Sequence, residues 1–122
     1  MKIIIDTSVI IDHTRANKGV LLRLISSGVQ IYIPMVVISE LWAGVSMNDK
    51  NNEKKIEKLI ERFIEVDLSK ESAKNAGKLL RNNKLMGTID AIIAATALGL
   101  GAQVATSNQR HFSKIKNLKL YE

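Results

Sequence analysis

Hydrophobic residues along the chain alternate between unbroken runs and helical spacing. Ile3–Ile5 is a continuous apolar run that ends at Asp6, which is typical of a strand buried on both faces of a parallel sheet. From Val20 to Ile25 the apolar residues instead recur at helical spacing, which predicts a helix that Gly28 ends. The same two patterns continue along the chain. They predict strands at 3–5, 29–33, 64–68, 103–106 and 118–121, helices at 20–27, 36–45, 56–64, 69–85 and 88–98 (the last two capped by Ser69 and Thr88), a turn at 12–18 and an exposed loop at 46–52.

The order of these elements predicts the fold class. Strands that alternate with helices favour an α/β fold in which a parallel sheet is covered on both faces. No internal repeat or linker interrupts the pattern, so residues 1–122 are predicted to form a single domain. Ligands of such sheets bind at the carboxyl ends of the strands, and Asp6 occupies the end of the first one.

Composition narrows the function classes. The 122 residues contain no Cys, which excludes zinc fingers, disulfide scaffolds, iron–sulfur clusters and cysteine nucleophiles. A net charge of +6 favours an anionic partner such as a phosphate backbone. The apolar start is too short for a signal peptide, and turn residues interrupt both long uncharged stretches. We therefore expect a cytoplasmic protein that has no contact with membranes.

Three of the acidic residues lie in apolar surroundings. Asp6 ends the buried first strand, and Asp90 is the only charged residue between Gly87 and Gln109. Glu40 has small or apolar residues three and four positions away on both sides, so it shares a helix face with them. Burying an unpaired carboxylate costs several kcal/mol, so such a group is neutralised, paired or bound to a metal.

Each of these acids also has a purely structural explanation. Asp6 could form a turn, Asp90 could stabilise a helix N-terminus, and Glu40 could face solvent. Because no Lys or Arg lies near enough in sequence to pair with any of them, their joint occurrence favours a shared cation. Carboxylate oxygens without a thiolate select a hard cation such as Mg²⁺ or Mn²⁺, and these ions serve phosphate chemistry.

Four segments carry a family resemblance: Ile5–Asp12, Ile38–Leu41, Ile89–Ala97 and Val104–Phe112. They resemble the signature segments of PIN-domain nucleases, in particular the VapC toxins of bacterial and archaeal toxin–antitoxin pairs. The resemblance implies a three-layer α/β/α sandwich with a central, mostly parallel sheet. It also implies endoribonuclease activity that depends on Mg²⁺, for which Mn²⁺ can substitute. The implied partners are an RNA substrate, a small antitoxin encoded nearby and a second copy of the chain.

The resemblance also assigns roles to individual residues. Asp6, Glu40 and Asp90 would be the catalytic, metal-binding acids. Ser8 would hydrogen-bond the water or a carboxylate near the metal, and Thr106 would orient that corner of the site.

The turn after Thr106 departs from the family pattern. The family often places a further acid there, whereas this chain has Asn108 and His111, and no Asp or Glu occurs from 91 to 121. We therefore expect one well-held metal ion and a second that binds weakly. His111 is expected to lie outside the ligand set, His13 in a loop, and Arg110 near a substrate phosphate.

Two other functions are compatible with parts of the sequence. Phosphotransfer through an aspartyl phosphate could use Asp6, but dehalogenase-like enzymes need an Asp at the position of Ser8, and a receiver domain needs an acid at the position of Ile5. The remaining alternative is a PIN-like module that binds RNA or a partner without catalysis.

Two surfaces are predicted to meet partners. Lys70, Lys74, Lys78, Arg81 and Lys84 form a basic stripe that is either a solvated helix face or a contact for RNA or an acidic partner segment. The helices that hold Trp42 and Phe63 are expected to present the apolar surface that a dimer or an antitoxin covers.

Overall fold

The computed structural model describes residues 1–16 and 19–122. Within these ranges, four parallel strands form one sheet in the order β3-β2-β1-β4, with Ile3 opposite Ile31, Ile4 opposite Val104 and Tyr32 opposite Ile64. The strands are β1 (Lys2–Ile5), β2 (Gln30–Pro34), β3 (Ile64–Val66) and β4 (Gln103–Ala105). The predicted α/β fold with a parallel central sheet is confirmed.

Helices connect these strands across the faces of the sheet. They are α1 (Thr7–Ala16), α2 (Val20–Ser27), α3 (Met35–Ala43), α4 (Lys50–Ile60), α5 (Lys70–Asn82) and α6 (Thr88–Leu100), with short 3₁₀ helices at Val45–Asn48 and Gln109–His111. The strand order, with the right-handed crossovers that parallel sheets adopt, assigns α1 to α4 to one face and α5 and α6 to the other, and the contacts of α1 with α2 and α3 and of α5 with α6 agree with this. Side chains Ile3, Ile4 and Ile5 are fully buried, as expected for a strand covered on both faces.

The helix ends follow local sequence chemistry. Gly28 and Gly101 end α2 and α6 with φ of 74° and 66°, a left-handed conformation that glycine adopts without steric cost. Ser69 caps α5, as predicted, because its side chain accepts a hydrogen bond from the backbone N–H of Ser72. Thr88 does not cap α6: Gly87 holds the cap position and Thr88 is the first helical residue.

Two predictions of irregular structure are wrong. Residues 12–16 belong to α1 rather than to a turn, because Val9 and Ile10 anchor this helix in the core; Asn17 and Lys18 lie outside the described residues. His13 is accordingly on a helix, not in a loop. The predicted loop at 46–52 contains a 3₁₀ helix and the start of α4, which Asp49 caps by accepting a hydrogen bond from the N–H of Asn51 at 2.9 Å.

Two further predictions need correction. The last strand is reduced to an isolated parallel bridge between Val104 and Leu120. Phe63 is 7% exposed and packs in the core, so it adds nothing to a partner surface, whereas Trp42 is half-buried and donates a hydrogen bond to Glu53.

None of the helices within residues 1–16 and 19–122 is both long enough and apolar enough to cross a lipid bilayer.

Candidate metal centre

The site lies where the chain reverses the direction in which strands are added to the sheet. β1 is followed by β2 and β3 on one side, whereas β4 adds to its other side. The carboxyl ends of β1 and β4 lie side by side at this switch point, which is where open α/β sheets bind ligands. Asp6 directly follows β1 and Thr106 directly follows β4, and the Asp6 N–H donates to the carbonyl of Ala105 at 3.4 Å.

Asp6 is buried at 5% exposure and is surrounded by hydrogen-bond donors. The hydroxyl of Ser8 donates to Oδ1 at 2.6 Å, and the hydroxyl of Thr106 donates to Oδ2 at 2.5 Å. The backbone N–H of Val9 also points at Oδ1, at 3.4 Å. The first turn of α1 and the end of β4 therefore hold this carboxylate in one orientation.

The electrostatic surroundings of Asp6 disfavour its charge. Burial raises the pKa of this carboxyl above its ordinary value of 3.8, and the nearby carboxylate of Asp90 raises it further. The hydrogen bonds from Ser8, Thr106 and the Val9 backbone act in the opposite direction without cancelling the effect of burial. A negative charge is thus held at this point at a cost that a bound cation would relieve.

Glu40 is half-buried on α3, which packs against α1. The hydroxyl of Thr7, the residue after Asp6, donates to Oε1 of Glu40 at 2.5 Å. This hydrogen bond joins residues 33 positions apart and brings the Glu40 carboxylate to the end of β1.

Asp90 lies in the first turn of α6, and its side chain is 28% exposed. Its Oδ2 is 3.0 Å from Nδ1 of His111, in the 3₁₀ helix after β4. The prediction that Asp6, Glu40 and Asp90 are all buried is therefore right for Asp6 alone. The other two are on helix segments that border the open end of the sheet, where solvent reaches them.

The three acids converge on one end of the sheet, but each contacts a different polar partner. Within residues 1–16 and 19–122, no three His, Asp or Glu side chains lie close enough together to form a ready-made metal site. The donor set nevertheless fits a hard divalent cation, because it consists of carboxylate oxygens. Across the same ranges, the one salt bridge joins His111 and Asp90, so no Lys or Arg neutralises these acids.

The segment after β4 closes one side of the site. The Ser107 N–H donates to the hydroxyl of Ser8 at 3.0 Å, and the Asn108 N–H donates to the hydroxyl of Thr106 at 2.9 Å. Ser107 also hydrogen-bonds Asp12 on α1 through its hydroxyl. Asn108 and Arg110 themselves are exposed.

Sequence reasoning does not find Thr7 or the pair formed by Asp12 and Ser107. Thr7 carries no signal of its own, because its partner is remote in sequence and threonines are common at helix starts. Asp12 falls in a stretch that reads as a polar turn, and only the helical conformation of α1 brings it to Ser107.

Comparison with known proteins identifies the family of the chain. A family model described as the PIN domain matches residues 3–118. Ribonuclease VapC19 of Mycobacterium tuberculosis is 28% identical over 123 residues, which cover 95% of this chain and 96% of the relative.

Solved structures show the same fold. The crystal structure of VapBC2 from Rickettsia felis bound to a DNA fragment from their promoter superposes with a TM-score of 0.85 at 25% identity, covering 99% of this chain and 98% of that one. A toxin–antitoxin complex from Klebsiella pneumoniae superposes with a TM-score of 0.80 at 23% identity, covering 98% of both chains. At the latter level of identity the likeness concerns the fold alone.

Proposed function

The chain belongs to the PIN-domain family, and we propose that it is a metal-dependent endoribonuclease that acts as the toxin of a toxin–antitoxin pair. The observation that carries the proposal is the buried carboxylate of Asp6, whose charge is disfavoured by burial and by Asp90 and has no basic partner among the described residues. The relative from Mycobacterium tuberculosis is named as a ribonuclease and aligns over nearly the whole chain, which supports the same activity here. We also propose that residues 1–122 form a single domain.

Nucleases of this kind generally depend on a divalent metal, and we assign Mg²⁺, with Mn²⁺ able to substitute. Asp6, Glu40 and Asp90 would hold the ion. When bound, it would polarise the scissile phosphodiester and lower the pKa of a water that attacks it. Ser8 and Thr106 hold the Asp6 carboxylate in place, and no three acidic or histidine side chains of the described residues are yet close together, so we expect Glu40 and Asp90 to approach Asp6 when the ion binds.

The polar neighbours of these acids position them for that role. Ser8 and Thr106 donate to opposite oxygens of Asp6 and fix the plane of its carboxylate. Thr7 orients Glu40, and His111 contacts Asp90. Such partners of ligating side chains fix ligand orientation and tune the charge at a metal.

The turn after Thr106 bears on the number of metal ions. It offers the amide of Asn108 where a further acid would add charge, so we propose that the free enzyme binds one ion well and a second one weakly. RNA phosphate would supply the missing negative ligand, which makes RNA binding and second-metal binding mutually favourable. His111 lies outside this ligand set in our proposal.

The partners follow from the same assignment. We propose a cytoplasmic homodimer that binds a small antitoxin encoded nearby. With Phe63 buried in the core, the apolar surface available around α3 is provided by exposed side chains such as Met35 and Val45, which are 40% and 84% exposed. Light scattering together with copurification of the product of a neighbouring small gene tests this; a monomer with no such partner would count against it.

The experiment that tests the activity measures cleavage of single-stranded RNA by the purified protein. Cleavage is expected with Mg²⁺, should stop on addition of EDTA and should return when Mg²⁺ is restored in excess. The alternative function, a PIN-like module that binds RNA or a partner without catalysis, predicts RNA binding without cleavage under all three conditions.

A further inference from the structure

A cleft of about 490 Å³ opens beside Asp90. One wall is the loop that joins α5 to α6, and the other is the chain that follows β4. This volume lies within the roughly 300–1,000 Å³ typical of sites that enclose one small ligand. The side chains that define its chemistry are Lys84, Leu85, Met86, Arg110, Lys114 and Ile115.

The charge of the cleft is strongly positive. Lys84, Arg110 and Lys114 line it, and all three are exposed. Throughout the described part of the chain, none of the three takes part in a salt bridge. The only acid in the lining is Asp90, which is already paired with His111. Unpaired cations around a concave surface attract an anion, and a phosphate accepts hydrogen bonds from several of them.

The same cleft also has apolar side chains in its lining. Leu85 projects fully into solvent at 103% relative exposure, whereas Ile115 is buried at 6% and Met86 is half-buried. Leu85 directly follows Lys84 in the chain and shares the lining of the cleft with Lys114. Each wall thus combines cationic and apolar side chains: Lys84 precedes Leu85 and Met86 on one, and Lys114 precedes Ile115 on the other. This mixture matches a ligand that has a flat apolar part joined to a phosphate, which describes a nucleotide.

We propose that this cleft binds a single nucleotide of an unpaired RNA strand, the one next to the scissile phosphate. Lys84 and Lys114 hold its phosphate, and Leu85 and Met86 contact its base. The assignment rests on the proposed function, because Asp90 belongs both to the candidate metal centre and to the lining of the cleft.

An acidic protein segment is the other anion that these cations could attract. It is less suitable, because the volume of the cleft fits one small group rather than a helix or a strand, and because Asp90 in the lining repels a carboxylate that brings no cation with it. RNA brings its phosphate to the proposed metal ion at that point.

Binding of a short fluorescein-labelled single-stranded RNA in EDTA, where no cleavage is expected, tests the proposal. The variant Lys84→Ala/Lys114→Ala removes two cations that bind phosphate. The slope of log Kd against log salt should fall by about 0.7, the value for one neutralised phosphate of a single strand, because both lysines hold the same phosphate. The matched control Lys55→Ala/Lys58→Ala removes the same charge from exposed positions of α4 and should have a slope close to that of the wild type.

The apolar part of the lining is tested with RNA that carries one abasic nucleotide at successive positions. For the wild type, a missing base next to the scissile phosphate should weaken binding about fivefold, the low end for the stacking of single bases. In Leu85→Ala this difference should shrink, because the base no longer packs against the leucine side chain. The control Leu22→Ala replaces an exposed leucine on α2 and should leave the difference between intact and abasic RNA unchanged.

The outcomes separate this inference from the proposed function. If the wild type cleaves RNA but the cleft variants bind RNA as their controls do, the inference is wrong and the nuclease assignment stands. If the wild type binds RNA through the cleft without cleaving it when Mg²⁺ is added, the inference stands and the catalytic assignment fails. Normal RNA binding with weakened binding of an acidic peptide in Lys84→Ala/Lys114→Ala would assign the cleft to a protein partner and overturn the proposal.

Discussion

Replacing Asp6 with asparagine tests whether this residue acts as a metal ligand or only as a structural residue. The change Asp6→Asn keeps the shape of the side chain and removes its charge. Its oxygen can still accept from Ser8, but its NH₂ group faces the hydroxyl of Thr106, which now donates to the carboxylate. One hydrogen bond to a charged group is thus weakened, which costs at most about 1.5–3 kcal/mol.

The buried charge opposes that cost. Because the folded-state pKa of Asp6 lies above the ordinary value of 3.8, ionisation of this carboxyl destabilises the fold. The protonated form contributes stability that is fully present below pH 3.8 and is lost as the pH rises through the folded-state pKa. At neutral pH without metal, Asp6→Asn avoids this penalty, so its melting temperature should equal or exceed that of the wild type. This relative advantage should disappear on acidification.

Adding metal should reverse the order of the two proteins. At a Mn²⁺ concentration of about a hundred times Kd, the wild type gains about 2.7 kcal/mol of stability. For a chain of this size that corresponds to a rise in melting temperature of roughly 10 °C. Asp6→Asn should lose most of this rise, whereas Glu57→Gln, at an exposed position of α4, should keep it.

Thermal unfolding followed by circular dichroism, in EDTA and in Mn²⁺ and over a series of pH values, measures all of these effects. A melting temperature of Asp6→Asn far below that of the wild type in EDTA would show that Asp6 is mainly structural. An equal rise with Mn²⁺ in both proteins would place the metal elsewhere.

Three further predictions concern other residues of the site and of α5. Asn108→Asp should strengthen binding of a second Mn²⁺ in calorimetric titration without RNA; no gain would remove Asn108 from the second site. Lys74→Glu/Lys78→Glu on α5 should reduce the slope of log Kd against log salt for RNA or antitoxin binding. The expected reduction is about one unit for each ion pair that the variant no longer forms with the ligand. An unchanged slope for both ligands would show that this helix face only contacts solvent. Thr7→Val should lower kcat with little change in RNA affinity, because Glu40 loses its orienting hydroxyl; unchanged kcat would refute this role.

Much of the fold follows from the sequence because local patterns and burial agree. The run Ile3–Ile5 has no polar position, and β1 is indeed covered on both faces. The pattern does not predict α1 because the second half of this helix is polar, and only the burial of Val9 and Ile10 identifies it. The last strand is overpredicted, because an alternation of apolar residues does not show how many backbone hydrogen bonds they make.

The candidate site is predictable in its acids but not in their partners. Asp6 and Asp90 stand out in sequence as charges among apolar residues. Thr7 does not, because its hydrogen bond to Glu40 depends on how α1 packs against α3. The cleft beside Asp90 is equally hidden, since two segments far apart in the chain form its walls.

In the proposed function, Asp6, Glu40 and Asp90 hold the cation on which RNA cleavage depends. The most direct measurement compares Mg²⁺-dependent RNA cleavage by Asp6→Asn and Asp90→Asn with that of Glu57→Gln, all checked for folding by circular dichroism. The first two should lose cleavage by at least about a hundredfold, as expected when an essential electrostatic contribution is removed, and Glu57→Gln should match the wild type. Full Mg²⁺-dependent activity in folded Asp6→Asn or Asp90→Asn would contradict the account.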